Sequence, residues 1–92
     1  MNQSCEATLK IKNELGLHAR AATLFVQLTS KYESTVSVTK DGRSVNGKSI
    51  MGVLTLVASK GTEIHILADG PDSEKVIEEL RRLVKDKFGE DR

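Results

Sequence analysis

The sequence predicts an α+β open-faced sandwich, with helices covering one face of an antiparallel sheet. Three observations carry that prediction. Short stretches, clearest over residues 6–12 and 35–40, alternate apolar and polar residues with the period of half-buried strands. Longer stretches, clearest after Pro71, repeat apolar residues at helical spacing. The two kinds follow one another as β-α-β-β-α-β-α, an order that packs helices on one side of a sheet and leaves the other side to water.

Each element has its own signal. In the first strand Ala7, Leu9 and Ile11 face one way, and Thr8, Lys10 and Lys12 the other. Gly16 breaks the alternation, and residues 19–31 read as a helix burying Ala22, Phe25, Val26, Leu28 and Tyr32. Val36 and Val38 mark the second strand. Asp41-Gly42 is a hairpin turn into a short third strand around Val45. Residues 49–57 form a short helix with Ser49 as its N-cap.

Lys60-Gly61 then turns the chain into a strand with Ile64 and Ile66 inward, and Glu63, His65 and Leu67 outward. Gly70-Pro71-Asp72 opens the last helix, with proline where its missing N–H costs little and acids in the first turn. Val76, Ile77, Leu80, Leu83, Val84 and Phe88 make its apolar stripe, Glu78 and Arg82 are spaced for a weak pair, and Gly89 is the stop. Both β-α-β crossings keep strand direction and the hairpin reverses it. An all-antiparallel sheet then has order 1-4-2-3 or 4-1-3-2, with Thr8, Lys10, Ser37, Thr39, Glu63 and His65 on its wet face.

Size and composition narrow the function. Residues 1–92 suit one domain. Such a chain buries only about 60–65% of its unfolded surface, so function belongs on the outside rather than in a deep cleft. Fourteen basic and thirteen acidic residues leave a net charge of +1, and Phe25, Tyr32 and Phe88 are the only aromatics. Nucleic acid as a partner is therefore disfavoured.

Cys5 stands alone beside an expected frayed terminus, so it reads as an incidental thiol, and no intramolecular disulfide can form. No apolar run precedes it, and no segment approaches the ~20 apolar residues of a membrane span. A cytoplasmic protein without membrane insertion is expected. The residues around His18 lack metal-ligand spacing, and no metal or cofactor is expected.

Gly16-Leu17-His18-Ala19-Arg20 carries the chemistry. Glycine lets the loop turn, which sets His18 at the start of a helix. Free N–H groups and the helix dipole favour an anion there and disfavour an imidazolium. A neutral imidazole can attack phosphorus, and the planar fork of Arg20 can grip phosphoryl oxygens bidentately. Taken alone, the same residues also fit a histidine at a helix cap with a surface arginine nearby.

Lys48-Ser49-Ile50-Met51-Gly52-Val53-Leu54 is the second feature. Four apolar side chains cannot all face the core of so short a helix, so part of this surface should be exposed as a docking patch. Ser49 at the helix start would tolerate a phosphate, and it would equally serve as an ordinary cap.

Together the two segments resemble the HPr family, the histidine phosphocarriers of the bacterial phosphoenolpyruvate-dependent phosphotransferase system. The resemblance spans residues 6–88 and implies a four-stranded sheet in order 1-4-2-3 under three helices. It implies that His18 takes phosphate on Nδ1 from the phosphohistidine of enzyme I and gives it to a histidine of enzyme IIA. Arg20 would clamp the phosphoryl group. Ala19, Thr23, Gln27, Ile50, Met51 and Leu54 would line the docking face, and Ser49 would be the target of an HPr kinase/phosphorylase. Such a protein is a carrier rather than a stand-alone enzyme, and brief docking on several partners suits a monomer.

Two positions depart from the family pattern. Ala21 stands where proline is usual, and its absence should cost about 0.4–1 kcal/mol. Leu15 stands where sugar-branch members often carry Asn or Ser, and there the chain resembles the nitrogen-related NPr branch, whereas the Ser49 motif resembles the sugar and regulatory branch. The alternative function is a regulatory HPr-like or NPr-like protein that signals by binding a regulator according to its phosphorylation state. Retention of both His18 and Arg20 favours the carrier.

Overall fold

Leu9, Val36, Val38, Ile64, Ile66 and Ala68 lie on one face of the sheet and are all buried. The computed structural model describes residues 3–92. Its elements are β1 (Ser4–Lys10), α1 (Ala19–Thr29), β2 (Thr35–Lys40), β3 (Arg43–Asn46), α2 (Ile50–Leu54), β4 (Glu63–Asp69) and α3 (Ser73–Lys85), with a 3-10 turn over Lys87–Gly89. The sheet order is β1-β4-β2-β3 with every neighbour antiparallel. This is the 1-4-2-3 order.

Register explains the core. Ala7 and Val38 flank Ile66 from the two sides, and Leu9 pairs with Ile64. Phe25 from α1, Val53 from α2, and Val76 and Leu80 from α3 close over these side chains and are fully buried. Across the hairpin, Asp41 and Gly42 both have positive φ, 50° and 79°, the combination a type I′ turn requires. The opposite sheet face is polar. There His65 contacts its register partner Thr8 at Oγ1, 3.2 Å away, and Glu6 on the same strand at 3.6 Å.

Several boundaries differ from the sequence reading. Cys5 lies within β1 opposite Ala68, half-buried against the core, and not in a frayed end. β1 stops at Lys10, although Ile11 is still tied by Ile11 N to Thr62 O at 2.9 Å and Gly61 N to Ile11 O at 2.8 Å. α1 ends at Thr29 rather than at residue 31, where the chain tightens into i→i−3 bonds from Lys31 N to Leu28 O and Tyr32 N to Thr29 O, both 3.2 Å; the buried Thr29 hydroxyl donates to Gly47 O at 2.7 Å. α2 ends at Leu54 rather than Val57 because Val57 is left-handed, with φ of 50°.

The ends of α3 differ too. Asp72 is its N-cap residue, but the carboxylate leaves the helix start and binds the 33–34 loop. It accepts from Glu33 N at 2.9 Å, Ser34 N at 3.0 Å and the Ser34 hydroxyl. Those bonds hold the Asp72 carboxyl below its usual range. At the other end Phe88 is buried as expected, but not from the helix. Lys87, Phe88 and Gly89 take φ of 56°, 56° and 77°. A left-handed non-glycine residue costs about 1–2 kcal/mol, and burying a phenylalanine ring, worth about 1.5–3 kcal/mol, offsets part of it. No helix among the described residues is long and apolar enough to cross a membrane.

Candidate functional site

The loop before α1 is fixed from below. Gly16 has φ of 67°, and a Cβ there would sit 2.4 Å from Ala58 O, so only glycine fits. Leu17 is buried and its N–H donates to Ala58 O at 2.8 Å. Asn13, fully buried, donates from Nδ2 to Gly16 O at 2.9 Å. These contacts pin residues 13–17 against the segment leaving α2.

His18 is thereby held as the N-cap residue of α1 in extended conformation, with its ring free of the capping role. The first intrahelical bond runs from Ala22 N to His18 O at 2.8 Å. The N–H groups of Ala19, Arg20 and Ala21 therefore have no partner inside the helix, and this is the anion-favouring end. Arg20 projects from the same first turn with its side chain 54% exposed.

One residue absent from the sequence reading completes the site. Glu90 returns from beyond α3, and its Oε2 lies 2.6 Å from His18 Nε2 and 3.1 Å from Arg20 Nη1. Its Oε1 accepts from Asn13 Nδ2 at 2.9 Å. Arg20 Nη1 also donates to Phe88 O at 3.0 Å, and Glu14 N donates to Arg92 O at 2.9 Å, so the tail is tied at several points. Burial of Glu90 works to raise its carboxyl. The bonds from His18 and Asn13, with the charge of Arg20 and that of His18 when its ring is protonated, outweigh it and hold the group below its ordinary 4.5.

An ionised carboxylate only accepts hydrogen bonds. In the neutral imidazole the proton of the His18–Glu90 contact therefore sits on Nε2. Nδ1 has no hydrogen-bond partner among the described residues, so in that neutral form its lone pair is available.

The proposed docking residues lie on two packed helices, α1 and α2. Ala19 and Gln27 are exposed, with half-buried Thr23 between them at helical spacing, its hydroxyl donating to Ala19 O at 2.8 Å. On α2, Met51 is 74% exposed and Ile50 is also exposed, whereas Leu54 is half-buried and Val53 belongs to the core. Ser49 caps α2 by accepting from Gly52 N at 3.0 Å. Two further apolar side chains, Leu15 at 68% and Val57 at 72% exposure, flank the contact between the 15–17 loop and the exit of α2. Leu15 had a visible signal, an apolar residue beside the Gly16 turn. Val57 and Glu90 had none.

Comparison with known proteins agrees with this architecture. Residues 5–86 match the family described as the PTS HPr component phosphorylation site. The phosphocarrier protein HPr of Xylella fastidiosa is 45% identical over 86 residues, covering 94% of this chain and 97% of the relative. A crystal structure of HPr from Thermoanaerobacter tengcongensis superposes with a TM-score of 0.92 at 48% identity, covering 96% of this chain and 99% of that one. Crh of Bacillus subtilis, a catabolite-repression protein seen as a swapped-domain dimer, superposes with a TM-score of 0.73 at 40% identity, covering 86% and 91% of the two chains. The chain thus belongs to the HPr family of phosphocarrier proteins of the phosphotransferase system.

Proposed function

We propose that this phosphocarrier accepts its phosphoryl group on His18 from the phosphohistidine of enzyme I and donates it to a histidine of an enzyme IIA. The observation that carries the reading is a half-exposed imidazole at the N-terminus of α1, beside three N–H groups that have no partner inside the helix and the Arg20 fork. Nucleophile, donors and charge clamp belong to the first turn of one helix, which suits the preorganisation that phosphoryl transfer uses. The reaction is reversible in character, since both donor and acceptor are histidines.

Docking is assigned to Ala19, Thr23, Gln27, Ile50, Met51 and Leu54, an apolar patch on α2 beside small and polar residues of α1, which several partners can share. Ser49 is the regulatory site of an HPr kinase/phosphorylase. A phosphate on it would add charge to that docking surface and repel acidic partners. On this reading the protein works in the cytoplasm as a monomer, whereas relatives recorded as dimers include Crh and an HPr of Thermoanaerobacter tengcongensis.

Incubation with phosphoenolpyruvate and enzyme I tests the acceptance step. Intact mass should rise by one acid-labile phosphoryl group on the wild type and not on His18→Ala. An equal gain on His18→Ala would place the group elsewhere and overturn the assignment.

A further inference from the structure

We infer that Glu90 is a positioning residue for His18, holding the proton of the neutral imidazole on Nε2 so that Nδ1 is left as the nucleophile; this rests on the carrier reading above. Geometry supports it first. The Nε2–Oε2 separation of 2.6 Å is a close hydrogen-bond contact to a carboxylate whose side chain is only 14% exposed.

The carboxylate is itself held in place. Asn13 donates to Oε1 and to Gly16 O, so one buried amide joins Glu90 to the loop that sets His18. Backbone conformation is the second, independent observation. Three consecutive left-handed residues, Lys87 to Gly89, bend the chain out of α3 and bring Glu90 to the ring. Strained turns of this kind persist where surrounding contacts over-determine them, and they cluster at functional sites.

The chemistry follows from the tautomer. The Nδ1 lone pair forms the new N–P bond while the N–P bond of the donor phosphohistidine breaks, and that electron pair returns to the donor nitrogen. His18 keeps its Nε2 proton throughout, so its ring becomes cationic as the phosphoryl group arrives. Glu90 faces that developing cation, as an orienting carboxylate does behind a catalytic histidine. In donation to the next protein the same charge on the ring favours departure of the phosphoryl group. Arg20, now shared between Glu90 and Phe88 O, turns its remaining N–H groups to the phosphoryl oxygens.

Long-range proton–nitrogen NMR of ring-labelled protein tests the inference without any partner. In the neutral form the wild type should show a protonated Nε2 and a bare Nδ1. Glu90→Gln, whose amide oxygen still accepts, should keep that tautomer, and Glu90→Ala should show a mixture. With enzyme I and phosphoenolpyruvate, Glu90→Ala should be phosphorylated about tenfold more slowly, the scale set by partners that orient ligating histidines. A wild-type proton on Nδ1 would overturn the inference, as would Glu90→Ala with unchanged tautomer and rate. A wild type with the expected tautomer that takes no phosphate would instead sink the carrier reading.

Discussion

Nε2 of His18 lies 2.6 Å from Oε2 of Glu90 although 72 positions separate them in the chain. The pair joins the start of α1 to the tail beyond α3, so the His18 ring and the C-terminal segment share one hydrogen-bond network. That linkage makes stability as well as reactivity depend on the Glu90 carboxylate.

Acid should loosen the fold. Glu90 is held below its ordinary 4.5 and Asp72 below its ordinary 3.8 in the folded protein. A depressed carboxyl stabilises the fold above its unfolded value and loses that contribution as pH falls through its folded value. Unfolding midpoints should therefore hold steady from neutrality to about pH 4.5 and then drop. Glu90→Gln should lose less on acidification than the wild type. Equal acid sensitivity of the two in urea titrations would contradict this linkage.

Arg20 is tested by Arg20→Lys, which keeps one positive charge and removes the planar fork. Charge-assisted hydrogen bonds are worth about 1.5–3 kcal/mol, so phosphoryl transfer should slow by about 10–100-fold. Stability should change by less than about 1 kcal/mol, because the side chain is largely exposed. Rapid-quench kinetics beside thermal unfolding separates the two effects.

Ser49 offers a paired test. Its hydroxyl caps a helix of only five residues, so Ser49→Ala should cost about 1 kcal/mol. Aspartate also caps well, and Ser49→Asp should keep the stability while slowing phosphoryl acceptance from enzyme I. Acceptance at wild-type speed by the aspartate variant would count against regulation by charge.

Val57 is a β-branched residue at φ of 50°, and it is exposed. Val57→Gly removes a left-handed penalty of about 1–2 kcal/mol and adds about 0.5–1 kcal/mol of unfolded-state entropy. Net stabilisation of about 0.5–1 kcal/mol should raise Tm by roughly 2–8 °C. A lower Tm would mean that the valine side chain makes contacts that matter to the fold.

Much of this architecture was legible in the residues. Alternation through Val36-Ser37-Val38 and Ile64-His65-Ile66 marked the sheet faces, and Asp41-Gly42 named its own turn. Strand direction left two sheet orders, because direction carries no information on which edge a crossover reaches. Family resemblance pointed to the right one. Helix ends were less legible, since Val57 leaves the helical region despite a residue type that resists doing so. Asp72 looked like an acid for a helix dipole, yet its carboxylate is claimed by Glu33 and Ser34, distant in sequence.

The site divides the same way. His18 and Arg20 are two residues apart at a helix start, and local chemistry singles them out. Glu90 stands beyond a glycine that reads as a stop, and nothing local predicts three left-handed residues turning the chain back to His18. Long-range partners of this kind leave no periodic trace.

A single-turnover transfer assay follows phosphate through the protein. Phosphorylated chain, freed of enzyme I and phosphoenolpyruvate, is mixed with enzyme IIA proteins of the sugar and nitrogen branches, and both partners are weighed by intact mass. A carrier acting through His18 loses its phosphoryl group as one enzyme IIA gains it. A phosphorylated chain that hands its group to neither enzyme IIA, and only to water, would contradict the account.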